Sequence, residues 1–267
     1  MSNDPQVDFG HRQVPPAEKT RLVDDVFARV ADRYDLMNDL MSLGTHRLFK
    51  RMTVQMSGLR KGQSVLDLAG GTGDMSALLA PVVGKTGRVV LADMNQPMLQ
   101  VGRSRLLDGG HAQVEWCQAA AEALPFEDAS FHCAVIAFGL RNFTSKPAAL
   151  KELLRVLRPG GTLLVLEFSK PADGWLQDAY AGFQSLWPAM GKLVAGDSDS
   201  YQYLVDSIAR HPNQDALKLM LEDAGFTSVE YHNLLGGIAA IHRGCKRGCE
   251  GGSKTKPDHD SAAGDAP

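Results

Sequence analysis

The stretch Val65-Leu66-Asp67-Leu68-Ala69-Gly70-Gly71-Thr72-Gly73-Asp74 decides the fold. It opens as a short apolar run and breaks into a glycine turn. Met75-Ser76-Ala77-Leu78-Leu79-Ala80 then reads as a helix. Strand, glycine turn and helix in that order are how an open α/β sheet presents backbone N–H groups to a ligand. Gly71 and Gly73 carry no Cβ and let the backbone come close to it. Twenty residues past Gly73, Asp93 ends a second apolar run, Arg88-Val89-Val90-Leu91-Ala92. An acid at the tip of the second strand can accept both hydroxyls of a ribose.

Charge around the turn separates two ligand classes. A dinucleotide sets its pyrophosphate on the helix N-terminus. Here Asp74 follows the last glycine directly, and a carboxylate there repels pyrophosphate. Ser76 stands where the dinucleotide fingerprint has a third Gly or Ala. Asp67 closes the first strand beside the same turn. Acids on both sides suit a cationic ligand, and S-adenosylmethionine carries an ammonium and a sulfonium. The plain alternative is a structural βα turn in another Rossmann-like protein.

The chain has 267 residues, 44% of them hydrophobic, enough for a real core. A net charge of -3 argues against a broad nucleic-acid surface. No apolar run approaches the roughly 20 residues of a membrane span. The start, Met1-Ser2-Asn3-Asp4, lacks the basic-then-apolar build of a signal peptide, so a cytoplasmic location is the default expectation. Cys117 and Cys133 fall in apolar runs and read as reduced core thiols. Cys245 and Cys249 read as part of a polar tail with no neighbours to complete a zinc site.

Residues 1–18 are polar, with Pro15-Pro16, and read as flexible. A helical pattern starts at Glu18, with Val23, Val26, Phe27, Val30 and Tyr34 at three- and four-residue spacing. After Leu43-Gly44, Thr45 is placed to cap a helix carrying His46, Arg47, Lys50 and Arg51. These helices precede the first strand and would cover the site at the strand ends. Strands are expected at 64–68, 87–92, 113–117, 131–137 and 162–168, with helices between them at 75–82, 96–107 and 146–157. That alternation implies a parallel sheet. Helices follow at 173–190, 199–210 and from Pro212 to about 223, then strands near 227–233 and 238–243. The close turn Leu234-Leu235-Gly236-Gly237 makes the last two an antiparallel edge hairpin. The expected fold is a Rossmann-like α/β domain over 19–243, its seven-stranded sheet mostly parallel, with an N-terminal helical addition. Residues 244–267 read as a disordered tail.

Several segments resemble one family. Tyr34-Asp35-Leu36-Met37-Asn38, Leu43-Gly44-Thr45-His46-Arg47, Phe138-Gly139-Leu140-Arg141-Asn142 and Leu166-Glu167-Phe168-Ser169-Lys170-Pro171 are similar to the ubiquinone/menaquinone biosynthesis C-methyltransferases of the UbiE type. Asp199–Tyr203 and Ile208–Gln214 match as well, and the likeness runs from about Phe9 to Arg243. The resemblance implies a class I methyltransferase that uses S-adenosylmethionine to methylate a ring carbon of a polyprenylated benzoquinol or naphthoquinol. It implies cofactor contacts at Asp67, Gly71, Thr72, Gly73, Asp93, Met94, Ala120, Ala121 and Ala137. Ala120 stands where the family often has Asn or Asp, and Ala137 where it often has Ser, so a side-chain polar contact is missing at both. Arg141 and Asn142 are assigned to the acceptor. The family reading also allows a peripheral membrane contact or a place in a quinone-biosynthesis complex.

Methylation at carbon needs an electron-rich ring, in-line approach to the sulfonium and exclusion of water. Arg141 stays protonated and suits a phenolate partner better than a base. His46 and His211 are candidate proton carriers. Tyr34, Asn38, Tyr201 and Tyr203 are candidates for the quinol pocket, with helix packing the plain alternative for the tyrosines. The basic set Arg47, Lys50, Arg51, Arg60 and Lys61 reads as a solvated helix face or as a contact for anionic lipid. Three functions compete: quinol C-methyltransferase, methyltransferase on another small molecule or lipid, and non-enzymatic S-adenosylmethionine-binding protein. Arg141-Asn142 and His46-Arg47 favour the first, because a generic methyltransferase does not need them.

Overall fold

The computed structural model describes residues 6–30, 38–39, 41–171, 173–195 and 198–248. Tyr34, Cys249 and the chain beyond residue 248 lie outside the described residues.

Every residue of β3 (Ser64–Leu68) is buried, as befits a central strand covered on both faces. Side chains alternate across it: Val65 joins the apolar layer on one face, Leu66 and Leu68 that on the other. The remaining strands of the large sheet are β4 (Arg88–Asp93), β5 (Glu115–Gln118), β6 (Phe131–Ala137), β7 (Leu157–Phe168), β8 (Thr227–Leu234) and β9 (Ala239–Cys245). Their order is β5-β4-β3-β6-β7-β9-β8. The first five run parallel, and β9 lies antiparallel to both β7 and β8. The chain therefore winds outward in both directions from β3, and ligands of open sheets bind at that switch, beyond the carboxyl ends of the strands.

The helices are α1 (Pro16–Val30), α2 (Thr45–Met56), α3 (Asp74–Val83), α4 (Gln96–Asp108), α5 (Lys146–Val156), α6 (Gly174–Ser185), α7 (Trp187–Ala195), α8 (Asp199–Arg210) and α9 (Gln214–Asp223). Phe49, Leu79, Leu99, Trp187 and Leu204 pack one face of the sheet; Leu150, Leu153, Leu217 and Leu221 pack the other.

Departures from the expected pattern have local causes. Part of the segment read as flexible is a hairpin, β1 (Val7–Phe9) with β2 (Arg12–Val14). It is held by α8: Phe9 stacks on Tyr203, His11 pairs with Asp206 at 2.9 Å, and Arg210 pairs with Asp8 at 2.6 Å. The expected helix at 173–190 is two helices, because Pro188 has no N–H to continue the first and Trp187 turns fully into the core. Thr45 does not cap α2. Gly44 precedes the helix in the left-handed region, and the Thr45 hydroxyl donates back to Ser42 O at 2.6 Å. Pro212 lies ahead of α9, whose cap is Asn213, accepting from Ala216 N–H. β9 runs two residues past the expected end. Cys245 is a buried strand residue, and Lys246 donates its N–H to Gly161 O and its ammonium to Arg155 O and Leu157 O. Cys133 is buried, whereas Cys117, on edge strand β5, is only half-buried. No helix among the described residues is long and apolar enough to cross a membrane.

Candidate active site

Two non-glycine residues in the left-handed region mark the switch point: Ala69 (φ 55°) directly after β3 and Phe138 (φ 59°) directly after β6. Such conformations cost of order 1–3 kcal/mol each and persist where surrounding structure holds them. The two turns press together, since a Cβ on Gly139 would lie 2.6 Å from the Ala69 Cβ. Between them opens a cavity of about 760 Å³, part of it continuous with solvent.

Gly71, Asp93, Met94 and Ala121 line this cavity, as expected, and Asn142 joins them. Thr72 and Gly73 belong to the turn but are not part of the lining. Ala120 and Ala137 are also absent from it. Ala119 and Ala121, two residues apart, line it instead. The sequence reading did not assign Phe138, Gly139, Met98 or the α1 residues Thr20, Val23, Asp24 and Phe27 to the wall. The N-terminal helices were expected to cover the site at the strand ends, and α1 lines the cavity there, but the sequence did not single out these residues. Asn95 ties α1 down, donating from Nδ2 to Asp24 Oδ1 at 2.7 Å and to Asp24 O at 2.9 Å.

Asp93 is held by backbone. Its Oδ2 accepts from Gly71 N–H and its Oδ1 from Asn95 N–H, each at 2.9 Å. Burial pushes its carboxyl above the usual range, and the backbone N–H groups oppose that push. A carboxylate has about four acceptor sites, so capacity remains for a ligand hydroxyl. Asp93→Ala should weaken S-adenosylmethionine binding by about 1–3 kcal/mol, the cost of stranding polar groups. Calorimetry showing unchanged affinity would remove Asp93 from a ribose site.

Asp67 is fully buried under the turn. Its Oδ2 accepts from the Ser76 hydroxyl at 2.7 Å, while its Oδ1 has no partner. Desolvation pushes its carboxyl up to about 6, against the Ser76 hydrogen bond and the nearby Lys50. Asp74 does not play the part its position suggested. Lys50 and Arg105 each reach it at 3.1 Å, so its charge is compensated by protein and leaves little for a ligand. Lys50 is correspondingly buried and leaves the basic helix face. The acid beside the turn with an unpartnered oxygen is Asp67. Asp67 is not part of the cavity lining, whereas the glycine turn and Asp93 on the wall fit a ligand that carries a ribose.

A second constellation lies behind the carboxyl ends of β6 and β7. Arg141, 5% exposed, follows β6 in a short 3-10 turn and donates from Nη1 to Glu167 Oε1 at 2.7 Å and to Phe138 O. Glu167 also accepts from Phe168 N–H and Arg141 N–H. The guanidinium lies 5.5 Å from the Phe168 ring centroid. Next to Arg141, Asn142 Oδ1 accepts from the Tyr203 hydroxyl at 3.0 Å. Around this core sit Ser169 Oγ, Trp187 Nε1, Arg141 Nε and both ring nitrogens of His211, all buried and without a partner, and the buried Tyr180 hydroxyl, which meets Gln184. Unsatisfied buried groups clustered in this way point to a missing ligand or water.

The other acceptor candidates separate from this cluster. His46 is buried elsewhere: its Nδ1 meets Ser42 Oγ at 2.8 Å, and burial beside Lys50 lowers its pKa. Asn38 lies in the same segment, its carbonyl accepting from the Ser42 hydroxyl. Tyr201 is fully buried with its ring against Gly191, where an added Cβ would fall 2.3 Å from a ring carbon. No group of three metal-ligating side chains occurs among the described residues.

A seven-stranded sheet with an antiparallel edge hairpin, a glycine turn after β3 and an acid at the tip of β4 define a methyltransferase of the Rossmann-like type. Solved methyltransferases share the fold. A SAM-dependent methyltransferase from Thermotoga maritima superposes with a TM-score of 0.58 at 21% identity, covering 84% of this chain and 99% of that one. One from Aquifex aeolicus gives 0.52 at 17%, covering 87% and 99%. The sequence goes further. Residues 15–246 match the ubiE/COQ5 methyltransferase family, and the chain belongs to it. The ubiquinone/menaquinone biosynthesis C-methyltransferase UbiE of Pseudomonas aeruginosa is 56% identical over 245 residues, 91% of this chain and 96% of that protein.

Proposed function

We propose that this protein transfers the methyl group of S-adenosylmethionine to a ring carbon of a polyprenylated quinol in ubiquinone or menaquinone biosynthesis. The observation that carries the reading is the buried cluster of unpartnered polar atoms around Arg141, which meets the cofactor cavity at Asn142. Family membership and the UbiE relative support the choice of acceptor.

Bound S-adenosylmethionine supplies an electrophilic methyl. The chain does the rest. Asp93 and the Gly71 turn hold the ribose, Asp67 answers the ammonium, and Phe138 and Gly139 form the wall between cofactor and acceptor. α1 and the α6–α7 pair exclude water, which strengthens every charge interaction inside. Arg141 orients the ring oxygen while Glu167 fixes the guanidinium plane. Tyr203 holds Asn142 at the seam. Tyr203→Phe should therefore leave cofactor affinity intact and cost about 1 kcal/mol of stability, a typical net hydrogen bond. Its kcat should fall several-fold; an unchanged kcat would remove this bond from the mechanism.

A lipophilic acceptor is delivered from a bilayer, and a peripheral contact belongs to the same proposal. Leu43 (76% exposed), Trp175 (73%) and Leu193 (87%) supply protruding apolar side chains for it. Methyl transfer by the purified protein to a short-chain quinol tests the function directly. In a strain lacking the protein, the unmethylated quinone should accumulate, and a normal quinone profile would overturn the reading.

A further inference from the structure

The cofactor cavity has a second acid beside Asp93, and it comes from α1. Thr20, Val23, Asp24 and Phe27 recur at three- and four-residue spacing, so they share one face of the helix, and all four line the cavity. Asp24 is half-buried there, whereas Asp25, one residue on, is exposed. Asn95 joins the two acids. Its N–H donates to Asp93 Oδ1 at 2.9 Å, and its Nδ2 donates to Asp24 Oδ1 at 2.7 Å. Asn95 is itself fixed. It is 5% exposed, and its Oδ1 caps α4 by accepting from Met98 N–H at 2.9 Å. One anchored residue therefore sets the places of both carboxylates.

Two like charges held side by side destabilise each other. The Asp24 charge adds to the burial that raises the Asp93 carboxyl. Among the described residues the cavity wall carries no basic side chain to offset the pair. Its third acid, Glu122, is placed differently: it accepts from Ser145 N–H at 2.9 Å, and its charge acts on Lys19 and Lys146. What the Asp24–Asp93 pair calls for is donors. Asp93 gives part of each oxygen to backbone, Oδ2 to Gly71 N–H and Oδ1 to Asn95 N–H. Asp24 gives Oδ1 to Asn95, and no donor among the described residues reaches its Oδ2. The ribose of S-adenosylmethionine carries two hydroxyls on neighbouring carbons, both able to donate. Neighbouring donors suit neighbouring acceptors, and a hydrogen bond to a carboxylate is of the strong, charge-assisted kind.

We propose that Asp24 is a second ribose-binding carboxylate of the cofactor site: Asp93 takes one hydroxyl, Asp24 takes the other, and Asn95 is the positioning residue for both. α1 then belongs to the cofactor site and is more than its cover. The ties of α1 to the core beside the cavity are few and polar. Lys19 Nζ donates to Phe143 O at 2.9 Å, the Thr20 and Thr144 hydroxyls meet at 2.9 Å, and Asp24 meets Asn95. A ribose held between Asp24 and Asp93 adds a further tie between this helix and the sheet, so the bound cofactor fastens its own cover.

The test is calorimetry on the full chain with S-adenosylhomocysteine and its 2′-deoxy and 3′-deoxy analogues. Wild type should bind each deoxy analogue about tenfold more weakly, having lost a hydrogen bond to a charged group. Asp24→Asn keeps the size of the side chain and an oxygen for Asn95 Nδ2, but loses the charge. It should bind S-adenosylhomocysteine about fivefold to tenfold more weakly. Its penalty for one of the two deoxy analogues should shrink to about twofold or less, while the penalty for the other stays as in wild type. Asp25→Asn removes the same charge from the exposed side of the helix and should bind all three ligands as wild type does. Hydrogen exchange in α1 should slow when S-adenosylhomocysteine binds to wild type, and slow less in Asp24→Asn. If Asp24→Asn weakens all three ligands by the same factor, Asp24 only positions α1, and the inference is overturned. Wild-type affinities in Asp24→Asn overturn it as well, as does an Asp25→Asn variant that matches Asp24→Asn. No methyl transfer enters the readout, so the outcome is independent of the acceptor.

Discussion

Arg141→Ala should cost this protein about 3–5 kcal/mol of stability, because it strands the Glu167 carboxylate in the core. Glu167 is fully buried, and Arg141 Nη1 is its side-chain partner at 2.7 Å. Glu167→Ala should cost about as much by stranding the guanidinium. These single variants lose fold and function together, so they cannot show what Arg141 does for the reaction. The double variant Arg141→Met/Glu167→Leu can. Replacing both members of a buried pair by apolar groups of similar volume is often neutral for stability, so most of the loss should be recovered. Turnover should not recover. If Arg141 stabilises the charged ring, methyl transfer in the double variant should remain down on the order of 100-fold, as when an oxyanion donor is removed. S-adenosylmethionine affinity should stay near wild type, since Arg141 is not part of the cofactor cavity wall. Urea melts together with kcat and calorimetric affinity decide the matter. A double variant that is stable and turns over normally would make the pair purely structural.

What could be read from the chain and what could not follow from the range of the interactions involved. The glycine turn, the βα alternation and the edge hairpin are local patterns, and each appeared within about two residues of its expected place except the start of β7, which begins at Leu157 and not at 162. The place of Asp93, at the end of β4 beside the Gly71 turn, was legible for the same reason. Interactions across the fold were not legible. Nothing near Asp74 in sequence announces that Lys50 and Arg105 will compensate it, so of the two acids read beside the turn the sequence could not tell which is paired within the protein. Arg141 and Glu167 are 26 residues apart and were read as separate motifs, and only the pairing of β6 with β7 brings them together. The hairpin at Val7–Val14 is too short to show a period and exists because α8, nearly 200 residues later, offers Tyr203, Asp206 and Arg210 to hold it. His211 was a lone histidine before a proline. Its environment of cations comes from three other parts of the chain.

Asp67 should make both stability and cofactor binding depend on pH between about 4 and 6. Burial raises its carboxyl from 3.8 to about 6. The folded protein thus holds that proton more tightly than the unfolded chain does. The group's contribution is fully favourable below about pH 4, shrinks as pH rises towards about 6, and is flat above that, where the buried carboxylate costs about 2–3 kcal/mol. A cationic ligand reverses the preference. If the free Oδ1 faces the ammonium of S-adenosylmethionine, binding favours the ionised carboxyl and releases its proton. Affinity should then fall about tenfold per pH unit as the solution is taken below about 6 and be constant above it. Asp67→Asn carries no ionisable group. Its affinity should be lower than wild type at neutral pH and flat down to pH about 5, and its unfolding free energy should lose the slope between about 4 and 6. Calorimetry with S-adenosylhomocysteine, which keeps the ammonium, in two buffers of different ionisation heat measures the proton released. A wild-type affinity that does not change between about pH 5 and 7 would show that Asp67 holds the turn through Ser76 and does not meet the cofactor, leaving the ammonium to other groups of the cavity.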